Sequence, residues 1–350
     1  RFYHLGPVVD NNNKMSTFNP ALYDPSQAPR LYQKASNGMA YDPVTNTYAP
    51  AVAIGALVPG SGNFNNGSCA AGKDGCPEGL AEYTKLDVGP RFGLAYDVFG
   101  NGKTALHLGA GIFKDRGSIL PAVYAAGSPP VGYTSNAYYT TLDQLSSASS
   151  YRFPSGGWWT SGAWAFYGRM KTPTITNYSL GIQQELPSNV LLDVSYVGSI
   201  SRHLWVNRDI NPVTLGARLD PANAKLPNDN FMRVYPGYSD ITAQEYTGTP
   251  NYNALQVKVD RKFHNGLQIG AAYSWSKTLG VVSNDGEYVS SYFNARDFNY
   301  GPLAFDRRQS LVINYWYDIP KLGAKTGIRA LGWFTDNWSI SGITSFISGS

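Results

Sequence analysis

No stretch of the 350-residue chain approaches the ~18 consecutive apolar residues of a spanning helix, which excludes a helical membrane protein. Charge is also scarce, at 15% of residues against the ~25% usual in soluble domains. The 28 basic and 24 acidic residues are scattered, and no basic stripe marks a nucleic-acid surface. Four histidines (His4, His107, His203, His264) lie far apart, without a His-x-x-x-His or Glu-containing metal motif. No Gly-x-Ser-x-Gly elbow stands out, and no Gly-rich loop ends in Lys-Ser/Thr to hold phosphate. The expectation is therefore a non-enzyme, with no catalytic residues, no metal and no cofactor.

Cysteine is nearly absent. The two that exist, Cys69 and Cys76, sit close together in a polar segment. Free thiols and a metal site are the alternatives to a disulfide, and metal has no His or second Cys pair nearby. The pair reads as a disulfide closing a small loop, which implies an oxidising compartment or the cell surface. Neither an initiating Met nor an apolar leader precedes Arg1, and Ser350 follows directly on a strand-like run. Both ends read as cut from something longer.

What the chain does have is aromatics, 14% of residues with 25 Tyr and 8 Trp, and a recurring unit. Each unit is two alternating apolar/polar segments of about ten residues joined by a short turn, the length of a tilted membrane-crossing strand. Arg91–Asp97 and Lys103–Phe113 flank Phe99-Gly100-Asn101-Gly102. Asn177–Leu186 and Val190–Ile200 flank Pro187-Ser188-Asn189. Leu255–Arg261 and Leu267–Trp275 flank His264-Asn265-Gly266. Residues 311–317 and Trp338–Ile347 close the series. Phe92, Leu94 and Tyr96 alternate with Arg91, Gly93, Ala95 and Asp97, so one face is apolar and its opposite is charged and small. That is the pattern of lipid outside and a wet lumen inside, and a one-residue slip would put the charges in lipid.

Long polar segments (7–88, 115–174, 202–251 and 278–304) separate the units and read as structureless extracellular loops. Tyr96, Phe113, Tyr178, Tyr196, Trp275, Tyr317 and Trp338 fall near strand ends, as aromatic belts do. The fold class is all-β: an antiparallel transmembrane β-barrel with short periplasmic turns and long extracellular loops. A soluble β-rich binding domain and a surface-interaction or export protein are the competing readings. Candidate substrate contacts are Trp158, Trp159, Trp164 and Tyr167 on the second loop, and His107 and Arg91 on the lumen face. The aromatic cluster has a second reading as interfacial belt and loop packing. Asp306-Arg307-Arg308 reads as a structural ion-pairing motif.

Several segments are more specific than this pattern. Gly89-Pro90-Arg91-Phe92-Gly93-Leu94-Ala95-Tyr96-Asp97, Asn177-Tyr178-Ser179-Leu180-Gly181-Ile182-Gln183-Gln184-Glu185-Leu186-Pro187 and Phe305-Asp306-Arg307-Arg308 resemble the barrel of TonB-dependent receptors, of the Oar-like branch. So do Val194-Ser195-Tyr196-Val197-Gly198-Ser199 and Asn251-Tyr252-Asn253-Ala254-Leu255-Gln256-Val257. The resemblance implies a 22-stranded barrel in the outer membrane of a Gram-negative bacterium, with residues 1–350 as part of that one domain. It also implies an N-terminal plug, a TonB complex acting through that plug, and import of a large substrate such as an oligosaccharide, peptide or metal chelate. Plug, TonB box, carboxypeptidase-regulatory-like domain and last strands are expected to lie outside this chain. Expected partners are outer-membrane lipid, the TonB complex and an extracellular substrate.

Overall fold

A computed structural model describes all residues except 1, 5, 74, 117–119, 133–158, 322–326, 328–331, 335 and 350. Eight long strands form the wall: β1 (Arg91–Asp97), β2 (Thr104–Lys114), β3 (Thr174–Leu186), β4 (Val190–Arg202), β5 (Asn251–His264), β6 (Leu267–Gly280), β7 (Gln309–Asp318) and β8 (Ser339–Ile347). Each pairs antiparallel with its sequence neighbour, and the short strand Gly301–Pro302 adds to β6. Among the described residues no helix is long and apolar enough to cross a membrane.

The turns that close the hairpins have the chemistry they require. Asn265 and Gly266 both take positive φ, +51° and +74°, the type I′ geometry whose twist matches the flanking strands. At the β1–β2 turn the Asp97 carboxylate accepts from the Gly100 and Gly102 amides, at 3.0 and 2.8 Å.

Register carries the two-faced character across the whole wall. One row of paired residues runs Tyr96, Leu106, Ile182, Val194, Val257, Tyr273, Leu311, Phe346, without a polar member. The next row, on the opposite face, runs Ala95, His107, Gly181, Ser195, Gln256, Ser274, Ser310 and ends in the apolar Ile347 on β8. Side chains on neighbouring rows point to opposite faces, so the first row meets hydrocarbon and the second the lumen. Tyr178, Tyr196 and Trp275 stand toward the outer end of the apolar face, as expected of a belt. Phe113 does not: register puts it on the lumen face, packed under the Arg91 guanidinium at 4.3 Å.

The reading of residues 7–88 and 202–251 as structureless is corrected. The described residues of these segments fold with 120–132 and 159–173 into a cap. A three-stranded sheet is its centre, with Tyr238–Gly248 between Leu204–Asp209 and Ser161–Ala165. All four buried apolar clusters include cap residues, among them Phe18 with Ile241 and Tyr238, and Tyr32 with Ala40, Ala49 and Ala53. Length alone gives no core; pairing between distant loops does. The polar residues that made these stretches look unstructured are satisfied by one another. Asn211 is fully buried, donates to the Ser239 carbonyl at 2.6 Å and accepts from the Tyr235 amide at 2.6 Å. Arg30 forks onto the buried Asp42 carboxylate at 3.1 and 2.8 Å, and with Thr45 holds it well below the usual carboxylate range.

The cap is mounted directly on the wall. β4 ends at Arg202, His203 turns through a left-handed φ of +61°, and the cap strand begins at Leu204. The returning cap strand ends at Gly248, and β5 begins three residues later at Asn251. A second tie is Lys114 at the outer end of β2, whose ammonium pairs with Asp87 at 3.2 Å. Residues 2–3 pair with Asp87–Val88 rather than joining the wall.

Candidate functional site

The lumen face beneath the cap is built from small and polar residues on alternate positions of β1–β5. Two adjacent same-face rows carry it: Gly93, Gly109, Ser179, Val197, Ala254, and Arg91, Gly111, Asn177, Ser199, Tyr252. A depression of about 510 Å³ is lined by Arg91, Gly109, Gly111, Asn177, Ser179 and Tyr252, among others. Its glycines are where room is needed: a Cβ on Gly109 would stand 2.9 Å from Ser179 Oγ. Such a surface leaves space for a solute or a packed domain and offers hydrogen bonds without a deep binding cleft.

Arg91 is fixed in place, its guanidinium over Phe113 and 3.4 Å from the Tyr3 hydroxyl. His107 is exposed on the same face, between Ala95 and Gly181 in adjacent strands. The structure therefore places these two candidates on one lumen surface. It does not bring the aromatic candidates to them. Trp164 stacks on Tyr124 inside the cap, centroids 4.2 Å apart and 6° from parallel. Trp159 packs against the Tyr32–Ala40 cluster. Tyr167 is partly open at the cap edge, and burial, then the charge of Glu245, push its phenol up from its ordinary value. Trp158 lies outside the described residues. The packing reading of this cluster fits Trp159 and Trp164 better than an open stacking platform does.

Cys69 and Cys76 form a disulfide in the first segment of the cap. Asp306 is buried and accepts from the Thr278 amide at 2.7 Å, with Arg308 3.7 Å away. That motif braces the outer end of β6. Among the described residues no cluster of His, Cys, Asp or Glu could hold a metal ion.

Two surfaces escaped sequence reasoning. On the fourth loop Tyr292, Phe293 and Phe298 are about half exposed or more, and Phe293 stacks on Phe298 at 5.3 Å. The signal was three aromatics within seven residues of a polar segment. On the lumen face of β7 and β8 stand Val312, Trp316, Ile343 and Ile347, of which Ile343 is 78% exposed. A second depression, about 340 Å³, is lined there by Gln268, Asn314, Trp316, Ser341 and Ile343. Its signal was a partial loss of alternation: Val312, Trp316, Ile343 and Ile347 share this face with Ser310, Asn314, Ser341 and Ser345.

Comparison with known proteins follows the same line. A family model described as an outer membrane beta barrel domain matches residues 1–350. No curated protein matches the chain. Among solved structures, the outer membrane transporter YddB from Escherichia coli is similar at 14% identity and a TM-score of 0.42, over 75% of this chain and 34% of that one. The alcaligin outer membrane receptor FauA from Bordetella pertussis is similar at 12% identity and a TM-score of 0.35, over 76% of this chain and 30% of that one. The ferric-catecholate import receptor Fiu from Escherichia coli K12 is similar at 8% identity and a TM-score of 0.33, over 83% of this chain and 27% of that one. The chain thus spans about a third of the length of these structures or less.

Proposed function

This chain belongs to the outer membrane beta barrel domain family, and from that premise we propose that it supplies wall and outer cap to a TonB-dependent receptor importing a large substrate. The observation that carries this reading is the lumen face. Over β1–β5 it is small and polar, the surface a solute needs for passage. Over β7 and β8 it leaves Trp316, Ile343 and Ile347 bare among Asn314, Ser341 and Ser345. A water-filled channel gives no reason to leave such residues bare, whereas a globular plug packed in the lumen covers them. The folded cap above then serves as the surface where substrate is first held, and energy arrives through the plug from the TonB complex.

The test uses the full-length protein in outer-membrane vesicles and in proteoliposomes, offered an oligosaccharide, a peptide and a metal chelate. The expected result is saturable binding of one class, and accumulation only when the TonB complex is present and energised. No binding and no flux of any class would count against import. The exposed pair Phe293 and Phe298 favours a second reading, a surface that binds another protein without transport; binding without energised accumulation would select it.

A further inference from the structure

On the premise that the cap is where substrate is first held, we propose that it binds a neutral sugar on one face of its central sheet. Trp164 is the stacking surface, Gln244 is the polar anchor, and Tyr124 fills the stacking position as an internal stand-in.

Gln244 stands on the central cap strand, 5% exposed, and neither its side-chain nitrogen nor its oxygen has a hydrogen-bond partner. A buried amide in that state is costly, because water satisfies both its ends in the unfolded chain. Among the described residues the other buried side-chain amides are engaged at both ends. Asn66 donates to the Asp24 carbonyl at 2.7 Å and accepts from the Asp24 amide at 2.9 Å. Asn207, which pairs with Gln244, accepts from the Trp205 indole at 2.9 Å and donates to the Gly286 carbonyl at 2.7 Å. The neighbour best placed to satisfy Gln244 is thus already taken.

Register sets Gln244 beside an aromatic surface. Thr242 and Gln244 share one face of Tyr238–Gly248, and Trp164 pairs with Thr242. The backbones at 164 and 244 are then about 8 Å apart, from ~4.8 Å between strands and ~3.3 Å per residue, within reach of a side chain as long as glutamine. Tyr124, from the short helix Leu120–Ala125, lies flat on the Trp164 ring at 4.2 Å and 6°. The phenol ring completes the stack and leaves the amide unpaired. A sugar ring does both: its apolar C–H face lies on the indole, and adjacent hydroxyls, each donor and acceptor, match the two ends of the amide.

The helix is docked on the sheet and forms no part of its ladder. The Ser128 hydroxyl after it accepts from the Trp164 amide at 3.0 Å and donates to the Trp164 carbonyl at 3.4 Å, so exchanging Tyr124 for a ligand unpairs no strand. The face runs out to solvent toward the fourth loop, where Tyr288 is exposed and its hydroxyl lies 3.0 Å from that of Thr242. Arg208 of the same sheet is held by Glu245 at 2.8 and 3.1 Å. Thr242, Gln244 and Tyr288 are uncharged, which fits a neutral ring.

The test measures binding and needs no flux. The full-length protein in detergent is titrated by calorimetry with maltotriose, cellotriose and xylotriose, and with a tripeptide of glycine and tyrosine as the competing neutral ligand. At least one sugar should bind saturably and the tripeptide should not. Gln244→Met keeps the bulk and removes the unpaired amide. It should weaken sugar binding about five- to hundredfold, as loss of two hydrogen bonds does, while the cap resists protease at least as well as before. Tyr124→Ala removes the ring that the sugar displaces and should tighten binding about two- to tenfold, as loss of one competing stacked pair does. No binding of any of the three sugars overturns the proposal. So does sugar binding that Gln244→Met leaves unchanged, weaker binding by Tyr124→Ala, or binding of the tripeptide in place of the sugars. Should Tyr124→Ala open the cap to protease, Gln244→Met decides alone. Sugar uptake that both variants leave unchanged sinks this site and spares import; sugar binding here without energised uptake sinks import and spares the site.

Discussion

In the wall, Leu180 stands 51% exposed and Val257 pairs with Val194 and Tyr273 on the lipid-facing side; in the cap, Phe18 and Ile241 are wholly sealed from solvent. One chain thus uses two ways to stay folded. The wall closes its backbone groups into ladders, as hydrocarbon demands, and hands its apolar side chains to lipid. The cap lies in water and must bury apolar surface within itself, so it collects small cores from segments far apart in sequence. Phe18, for example, lies edge-on to Tyr235 and Tyr238, with centroids 5.0 and 5.2 Å away. The difference teaches that exposure of a large apolar side chain has no fixed meaning here: it is normal in the wall and would be a defect in the cap.

The largest expected effect tests the cap side. Phe18→Ala empties a fully buried ring site and should cost about 3–5 kcal/mol. Limited proteolysis of intact proteoliposomes should show the cap cut readily, while heat-modifiable migration of the wall persists. Next comes the wall. Val257→Arg puts a charge in the middle of the lipid-facing row and should cost about 2–4 kcal/mol, measured by urea unfolding in bilayers. Gln256→Arg, one residue away on the lumen face, should cost little. Equal effects at 256 and 257 would break the assignment of faces.

The same contrast decides what was legible in the sequence. Wall strands were readable because their two solvents differ, and the alternation of Leu255, Val257 and Val259 with Gln256, Lys258 and Asp260 records both. Their turns were readable because Asn265-Gly266 has one favoured geometry. The cap was not readable, because its cores are small (Ala40, Ala49, Ala53 and Ala56 in one of them) and its strands are short. Its polar residues are satisfied by partners that local pattern cannot reveal: Tyr238 donates to the Asn66 carbonyl, 172 residues away. Among site residues, alternation alone put Arg91 and His107 on one face, and register keeps them together there. Trp164 announced itself as an aromatic but not that Tyr124 would stack on it.

Asp42 gives the cap a smaller, pH-dependent signature. Its folded-state pKa is depressed, mainly by the Arg30 side chain, so its contribution is complete above the ordinary carboxylate value and drains as pH falls below it. Asp42→Asn should cost the cap about 1–3 kcal/mol at neutral pH. The gap between wild type and variant, read by proteolysis rate, should be flat from about pH 7 to 5 and narrow below about pH 4.

The smallest effect probes the joint itself. His203 holds a φ of +61° between β4 and the first cap strand, a conformation that costs a side-chain-bearing residue about 1 kcal/mol and a β-branched one more. Glycine adopts it freely but loses more freedom on folding. His203→Gly should therefore change stability by less than about 0.5 kcal/mol, and His203→Val should lower it by about 1 kcal/mol or more. The informative reading is where the valine penalty falls. Strain at a joint between independent units loosens the weaker one, so cap proteolysis should quicken while the wall's urea midpoint stays put. If the wall midpoint moves with the cap, the two regions unfold together, and the ladder of β4 and β5 extends its cooperativity through His203 into the loops.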